Sequence, residues 1–359
     1  DGVAVHVAES VTNFRRALRA EVLTELGILT VLGIVAAIVV NLVLLKVVDA
    51  PLTHLVTTVR RITRGELGIQ SSTSGSHEMH ELAQAVNEMS LALDEIDSQR
   101  RHQISKAREI QEHLLPNGVR VPGLRTAVLF RPAEGVSGDY CDFLPLADGT
   151  WFLCIADVMG HGVPAAMGAS MLKMLLLFAT EREHNSPAAV LSAVNQCLAR
   201  TMLPEDFASM FLAHWSPETR ILTYACAGHP SAILVSGRSR LDLLSSTGLL
   251  LGIERNTVWQ ERTVQLTSHD RLLLFTDGAI EMRGHDGELF GSERLAAWFS
   301  RCDDIPFGRF LHFVYPALGA HRGDQPVNDD LTIVLLQCEA DESVETPAAA
   351  SRPAALCHL

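Results

Sequence analysis

The stretch WFLCIADVMGHGVPAAM, residues 151–167, decides how the rest of the chain is read. Its first six residues, Trp151 to Ala156, are a short apolar run bounded by a turn, which reads as a strand. Asp157 follows directly and opens DVMGHG. An Asp at the tip of an apolar strand sits at the rim of a core. Gly160 and Gly162 then make a turn, and a helical pattern runs over 164–180. Three other places repeat the arrangement. Asp139 lies in SGDYCDF at 137–143, Asp277 follows RLLLF and Thr276, and Asp329 with Asp330 precedes LTIVLLQ.

Working outward, residues from about 126 on show short apolar runs between turns. Candidate strands are 127–131, 151–156, 209–215, 221–227, 232–235, 271–275 and 331–336. Long helical patterns fall at 164–180, 187–203, 292–299 and 306–318. Strands in runs, with helices set apart from them, predict an α+β fold of two packed sheets covered by helices.

Four carboxylates at strand tips make one cluster if the tips converge. Such a cluster repels itself and loses hydration. Two divalent cations neutralise it, and oxygen donors suit Mn²⁺ or Mg²⁺. Two such ions can activate a water between them for in-line displacement at phosphorus, so no Ser, Cys or His nucleophile is needed. Gly138, Gly160, Gly162 and Gly278 let backbone approach ions and substrate, and the Val158 carbonyl can complete a coordination shell.

The motifs SGDYCDF, ADVMGHGVPAAM, AGHP (227–230), TGLLLGI (247–253), FTDGAIEM (275–282) and NDDLTIVLLQ (328–337) occur in that order. Together they resemble the SpoIIE/RsbU branch of the metal-dependent PPM (protein phosphatase 2C-like) phosphatases, over about residues 107–338. AREIQEHLLPN at 107–117 resembles the helix that leads into that domain. The resemblance implies an αββα sandwich that hydrolyses phosphoserine or phosphothreonine on a protein. It implies Asp139, Asp157, Asp277 and Asp329 as metal ligands with the Val158 carbonyl. Gly138 and Gly160 stand beside the reacting groups, and Asp330 is expected to orient water or substrate. The implied partner is a phosphorylated anti-sigma-factor antagonist.

Small departures from the family pattern occur at Ser137, Cys141 and Ala156, and the Asp framework is intact. His161 reads as a loop residue near the site rather than a general acid, and His229 as a turn residue rather than a ligand. The phosphate-binding Arg of eukaryotic relatives has no counterpart at matching spacing, so the metals are expected to hold the phosphate.

Toward the N-terminus, residues 26–45 (LGILTVLGIVAAIVVNLVLL) carry no charge. At 1.5 Å per residue they span about 30 Å, the thickness of a bilayer's hydrocarbon core. They predict a transmembrane helix in a bacterial plasma membrane, with 1–25 outside and the catalytic domain cytoplasmic. Leu52, Leu55, Val59 and Ile62, then Leu82, Val86, Met89, Leu93 and Ile96, form two heptad stripes around a polar connector. Neither helix can bury its stripe alone, which predicts a homodimer with a four-helix bundle. The order of parts over 46–98, with Pro51 and Glu78, resembles a HAMP domain. Arg100 and Gln103 interrupt the stripe, so 99–117 reads as a signalling helix ending at Pro116. The domains are then 1–25, 26–45, 46–98, 99–117, 118–338 and a disordered acidic tail, 339–359.

The formal net charge of −13 argues against nucleic acid as a partner. The seven Cys have no CxxC spacing and read as reduced thiols. In HEMHE at 77–81 the two His are three apart, which is wrong for a zinc helix motif. The first residue is Asp1, which reads as a fragment or a trimmed start. Two other functions compete with a phosphatase. A catalytically degenerate phosphatase fold that binds a partner would be expected to lack Asp ligands. A histidine kinase would need a phosphoacceptor helix and a Gly-rich lid, and the sequence supplies neither.

Overall fold

The computed structural model describes residues 7–340 except 73–75, 184, 202, 204, 238–239, 303–304 and 328. It divides into two compact units between His102 and Gln103.

The first unit opens with helix α1 (Val7–Leu44), followed by a π-helical turn, Leu45–Asp49, and α2 (Ala50–Thr63). The uncharged stretch lies almost wholly inside α1, which begins well ahead of it. The segment around it is apolar enough to cross a membrane and is unburied. Pro51 stands in the first turn of α2, where its missing N–H costs no helical bond. Helix α3 (His77–Leu114) follows the connector. Asn87 on α3 grips the connector through both backbone groups of Ser71, accepting from its N–H at 2.7 Å and donating to its carbonyl at 2.9 Å. Leu55 and Ile62 are buried in the single chain, while Leu82, Met89, Leu93 and Ile96 stay exposed. The two helices predicted on either side of residue 98 are one continuous helix, because Arg100 and Gln103 lie on a solvated surface where polar residues cost nothing.

The second unit is two antiparallel sheets face to face. One has the order β1 (Leu124–Arg131), β10 (Leu331–Cys338), β9 (Arg271–Phe275), β6 (Ala232–Ser236), β7 (Arg240–Leu244). The other runs β2 (Asp139–Pro145), β3 (Trp151–Val158), β4 (Ala208–Ser216), β5 (Ile221–Ala227), β8 (Arg262–Gln265). Helices α4 (Gly162–Arg182) and α5 (Pro187–Thr201) cover the second sheet, and α6 (Ser292–Phe299) and α7 (Phe310–Arg322) the first. This is the expected αββα sandwich. Residues 103–117, predicted as linker, belong with this unit.

The two-residue period of a strand sorts each side chain. On β3, Leu153 and Ile155 enter the core between the sheets, while Phe152, Cys154 and Ala156 face the α4/α5 layer. On β10, Val334 and Leu336 face inward and Ile333 and Leu335 meet α6 and α7. Both faces are buried, so these strands read as unbroken apolar runs. The centre is anchored by Trp215, fully buried with its indole N–H donated to the Pro122 carbonyl at 2.9 Å. α4 is also long and apolar enough to cross a membrane, yet its Ala169, Leu172 and Leu176 are buried against the second sheet. Five of the described cysteines are buried thiols and Cys197 is exposed. Beyond Ala340 the predicted tail lies outside the described residues.

Candidate active site

Strand parity carries Asp139 and Asp157 to one end of the space between the sheets. Asp139 is the first residue of β2, pairs in register with Asp157 on β3, and shares its parity with inward-facing Cys141 and Phe143. Thr276, just past β9, and Thr332 on β10 have the inward parity of the facing sheet. Both hydroxyls donate to one oxygen of Asp139, at 2.9 and 2.6 Å. Asp139 therefore bridges the two sheets. Its carboxyl lies well above the usual range because burial disfavours its charge; the two threonine bonds oppose the shift and Asp330 and Asp277 add to it.

Burial pushes Asp157 up to about 9, with Asp139, Asp277, Asp329 and Asp330 all contributing repulsion. Asp277 opens a short 3₁₀ turn after β9. Burial raises it to about 6, and Asp329 and Glu281 add to the shift. Asp329, on the exposed rim before β10, is raised by burial and by Asp330, while the N–H of Asp330 bonding its carboxylate at 2.8 Å opposes this. The four predicted ligands thus form one electrostatically coupled group. Their donors are all carboxylate oxygens, the chemistry of a hard divalent cation. Among the described residues no group of three or more His, Cys, Asp or Glu has the geometry of a formed metal site. Mutual repulsion of uncompensated carboxylates acts against such closure.

Asp330 has a task the sequence did not suggest. Its two oxygens accept the amides of Ala133 and Gly138, each at 2.8 Å, so this buried carboxylate holds the loop that delivers Asp139. Gly138 is required there: a Cβ would stand 2.6 Å from the Val158 carbonyl oxygen. Val158 in turn donates its N–H to the Gly138 carbonyl at 3.2 Å. Gly160 turns the chain in the left-handed region, at φ 94°. His161 is exposed, with Nδ1 3.4 Å from Glu134. His229 is buried, its Nδ1 2.7 Å from the Ser209 hydroxyl, and burial holds its pKa down at about 3.

Three supporting residues escaped sequence reading. Thr276 and Thr332 look like ordinary strand formers. Gln111, near the end of α3, is buried and grips both backbone groups of Ser137, donating to its carbonyl at 2.6 Å and accepting from its N–H at 3.0 Å. Ser137 in turn accepts the N–H of Asp139 on its hydroxyl at 3.0 Å.

Comparison with known proteins places this geometry. Residues 147–339 match the Stage II sporulation protein E (SpoIIE) family, and residues 50–95 match the HAMP domain. Asp139 lies just ahead of the first stretch. The phosphoserine phosphatase RsbU of Bacillus subtilis is 31% identical over 198 residues, which are 54% of this chain and 58% of that protein. Protein IcfG of Synechocystis is 27% identical over 66% of this chain and 42% of its own length. The chain thus spans about half the length of these curated relatives. The SiaA PP2C domain of Pseudomonas aeruginosa superposes with a TM-score of 0.62 at 22% identity, over 67% of this chain and 98% of that domain. The RsbU and RsbW domains of a Mycobacterium tuberculosis protein give 0.53 at 27% identity, over 61% of each chain.

Proposed function

This chain belongs to the Stage II sporulation protein E (SpoIIE) family and carries a HAMP domain ahead of that region, and from that premise we propose that it removes phosphate from phosphoserine or phosphothreonine on a partner protein. The observation that carries this reading is the coupled group of Asp139, Asp157, Asp277 and Asp329 at one end of the sandwich. With the Val158 carbonyl, these residues would hold two divalent cations, Mn²⁺ or Mg²⁺. When bound, such ions supply the positive charge that lets water attack phosphorus at neutral pH.

The chain's own residues do the positioning. Thr276 and Thr332 fix one oxygen of Asp139. Asp330 fixes the loop, and Gly138 leaves room for the Val158 carbonyl. All four ligand positions hold Asp, which favours an enzyme over a degenerate binding module. RsbU is by its name a phosphoserine phosphatase, which supports a phosphoserine substrate here; a phosphorylated anti-sigma-factor antagonist is the substrate that the resemblance of the motifs implies. The apolar stretch at 26–45 would anchor the chain in the bacterial plasma membrane, with catalysis on the cytoplasmic side. The exposed stripe Leu82, Met89, Leu93 and Ile96 supports pairing of two HAMP regions in a homodimer. The test is Mn²⁺-dependent phosphate release from a phosphorylated antagonist protein. Asp277→Asn should lower the rate at least about 100-fold; a variant as fast as the unaltered chain would refute the assignment.

A further inference from the structure

Adjoining the carboxylate group at Asp329 lies a small cleft of about 30 Å³. It is lined by Gly278, Glu281, Arg283, Arg322, Val327 and Asp329. Asp139 and Asp157 take no part in it. Arg322 is half-buried at the end of α7, and Arg283 is exposed on the loop after Asp277. Among the described residues neither guanidinium has a carboxylate within ion-pair distance; Arg283 has only a long 3.4 Å bond to the Gly287 carbonyl. Two cations thus face a gap lined by two carboxylates, Glu281 and Asp329, and Asp329 is one of the proposed cation ligands.

We propose that Arg322 and Arg283 form a subsite for the carboxylate of an Asp or Glu flanking the phosphorylated residue of the substrate. The cleft is narrow, about 30 Å³, which suits a planar carboxylate better than a tetrahedral phosphoryl group with three free oxygens. Guanidinium presents paired N–H donors that match a carboxylate edge to edge, and half-burial of Arg322 limits screening by solvent. Because Asp329 and Gly278 form one wall, a group held here is a near neighbour of the reacting phosphate. The subsite gives the chain a way to choose among phosphoproteins that cations binding any phosphate would lack.

This subsite rests on the phosphatase reading above. The test uses the full chain in detergent with Mn²⁺ and phosphoserine peptides that differ only in carrying Glu, Gln or Lys beside the phosphoserine. The expected kcat/KM is about tenfold higher for the Glu peptide than for the Gln peptide. That preference should fall toward one in Arg322→Gln and turn toward the Lys peptide in Arg322→Glu. Equal rates on the Glu and Gln peptides, or a preference that survives both Arg322→Gln and Arg283→Gln, overturn the subsite. If no peptide loses phosphate, the phosphatase reading has failed, and the subsite is judged by fluorescence anisotropy of the labelled Glu peptide. Binding about tenfold weaker in Arg322→Gln upholds it, and equal binding overturns it.

Discussion

Replacing Asp157 by Asn should stabilise the metal-free protein while removing what Mn²⁺ adds. Unfolded, the Asp157 carboxyl ionises near 4; folded, it is held at about 9. Between those values the folded chain binds a proton that the unfolded chain releases. Stability is therefore greatest below pH 4 on this account and falls as pH rises toward 9. The slope is about 1.4 kcal/mol per pH unit, and part of the shift belongs to neighbouring carboxylates that relax together. The cost at pH 8 is then about 2–4 kcal/mol. Asn is neutral and close in shape, so the variant escapes it. In a domain of this size the gain corresponds to a melting temperature higher by about 5–10 °C. Thermal unfolding followed by tryptophan fluorescence, in detergent and chelator at pH 6 and pH 8, reads the difference, which should be larger at pH 8. Excess Mn²⁺ should raise the melting temperature of the unaltered chain much more than that of Asp157→Asn. A variant less stable than the unaltered chain at pH 8 without metal, or one with the same Mn²⁺ gain, would show that the carboxylates are not a mutually repelling ligand set.

Other expectations follow from single contacts. In Gly278→Ala the new Cβ would lie 2.0 Å from the Asp330 carbonyl oxygen, a backbone atom that cannot swing aside; denaturant unfolding should show a loss of about 2 kcal/mol or more. Thr332→Val removes the 2.6 Å bond to Asp139 and leaves the shape nearly unchanged. Calorimetry should find Mn²⁺ affinity down about tenfold with a stability change near 1 kcal/mol. Buried His229 stays neutral to about pH 3 in the folded chain, whereas the unfolded imidazole takes a proton below about 6.5. That contribution is intact above pH 6.5 and is lost on acidification toward 3, by up to about 4 kcal/mol. Acid titration of stability should be shallower in His229→Asn over that window.

The sequence was most legible where burial is symmetric. β3, β9 and β10 are apolar on both faces, so short unbroken runs marked them to within a few residues. β2 was hidden because Asp139 and Asp142 break its run, although the strand is almost wholly buried. Its Asp142 carboxylate is satisfied internally: Oδ2 accepts from Tyr140 and from Lys173, each at 2.8 Å, and Oδ1 accepts the Phe143 N–H at 2.9 Å. No local pattern announces such pairing, because Lys173 lies on α4. The edge strands β7 and β8 keep mostly polar or exposed residues and carry little periodic signal. For the site, an Asp at a strand tip could be read directly, since a charge at the end of an apolar run has few structural reasons to be there. The roles of Thr276, Thr332 and Asp330 depend on which loop each meets across the sandwich, and that is fixed only by the pairing of the sheets.

Gln111 shows why the helix ahead of the domain matters to the site at all. Its amide occupies both backbone groups of Ser137 in a buried setting, and the Ser137 hydroxyl accepts the Asp139 amide. If the end of α3 withdrew while Ser137 stayed, a buried N–H and a buried carbonyl would lose their partners, at about 1–3 kcal/mol for each group. The cheaper response is for Ser137 to move with the helix. A second tie strengthens this coupling: Lys173 donates both to the Leu114 carbonyl and to Asp142 on β2. The helix end and the strand bearing Asp139 are therefore held as one piece, joined at Ser137 and at Lys173. Asp139 is also bound across the sandwich by Thr276 and Thr332, so it cannot follow such a movement without weakening those bonds. The carboxylate on which both sheets converge is thus tied through Ser137 to the end of α3, and a displacement of that helix end would reach Asp139 before it reached the strands behind it.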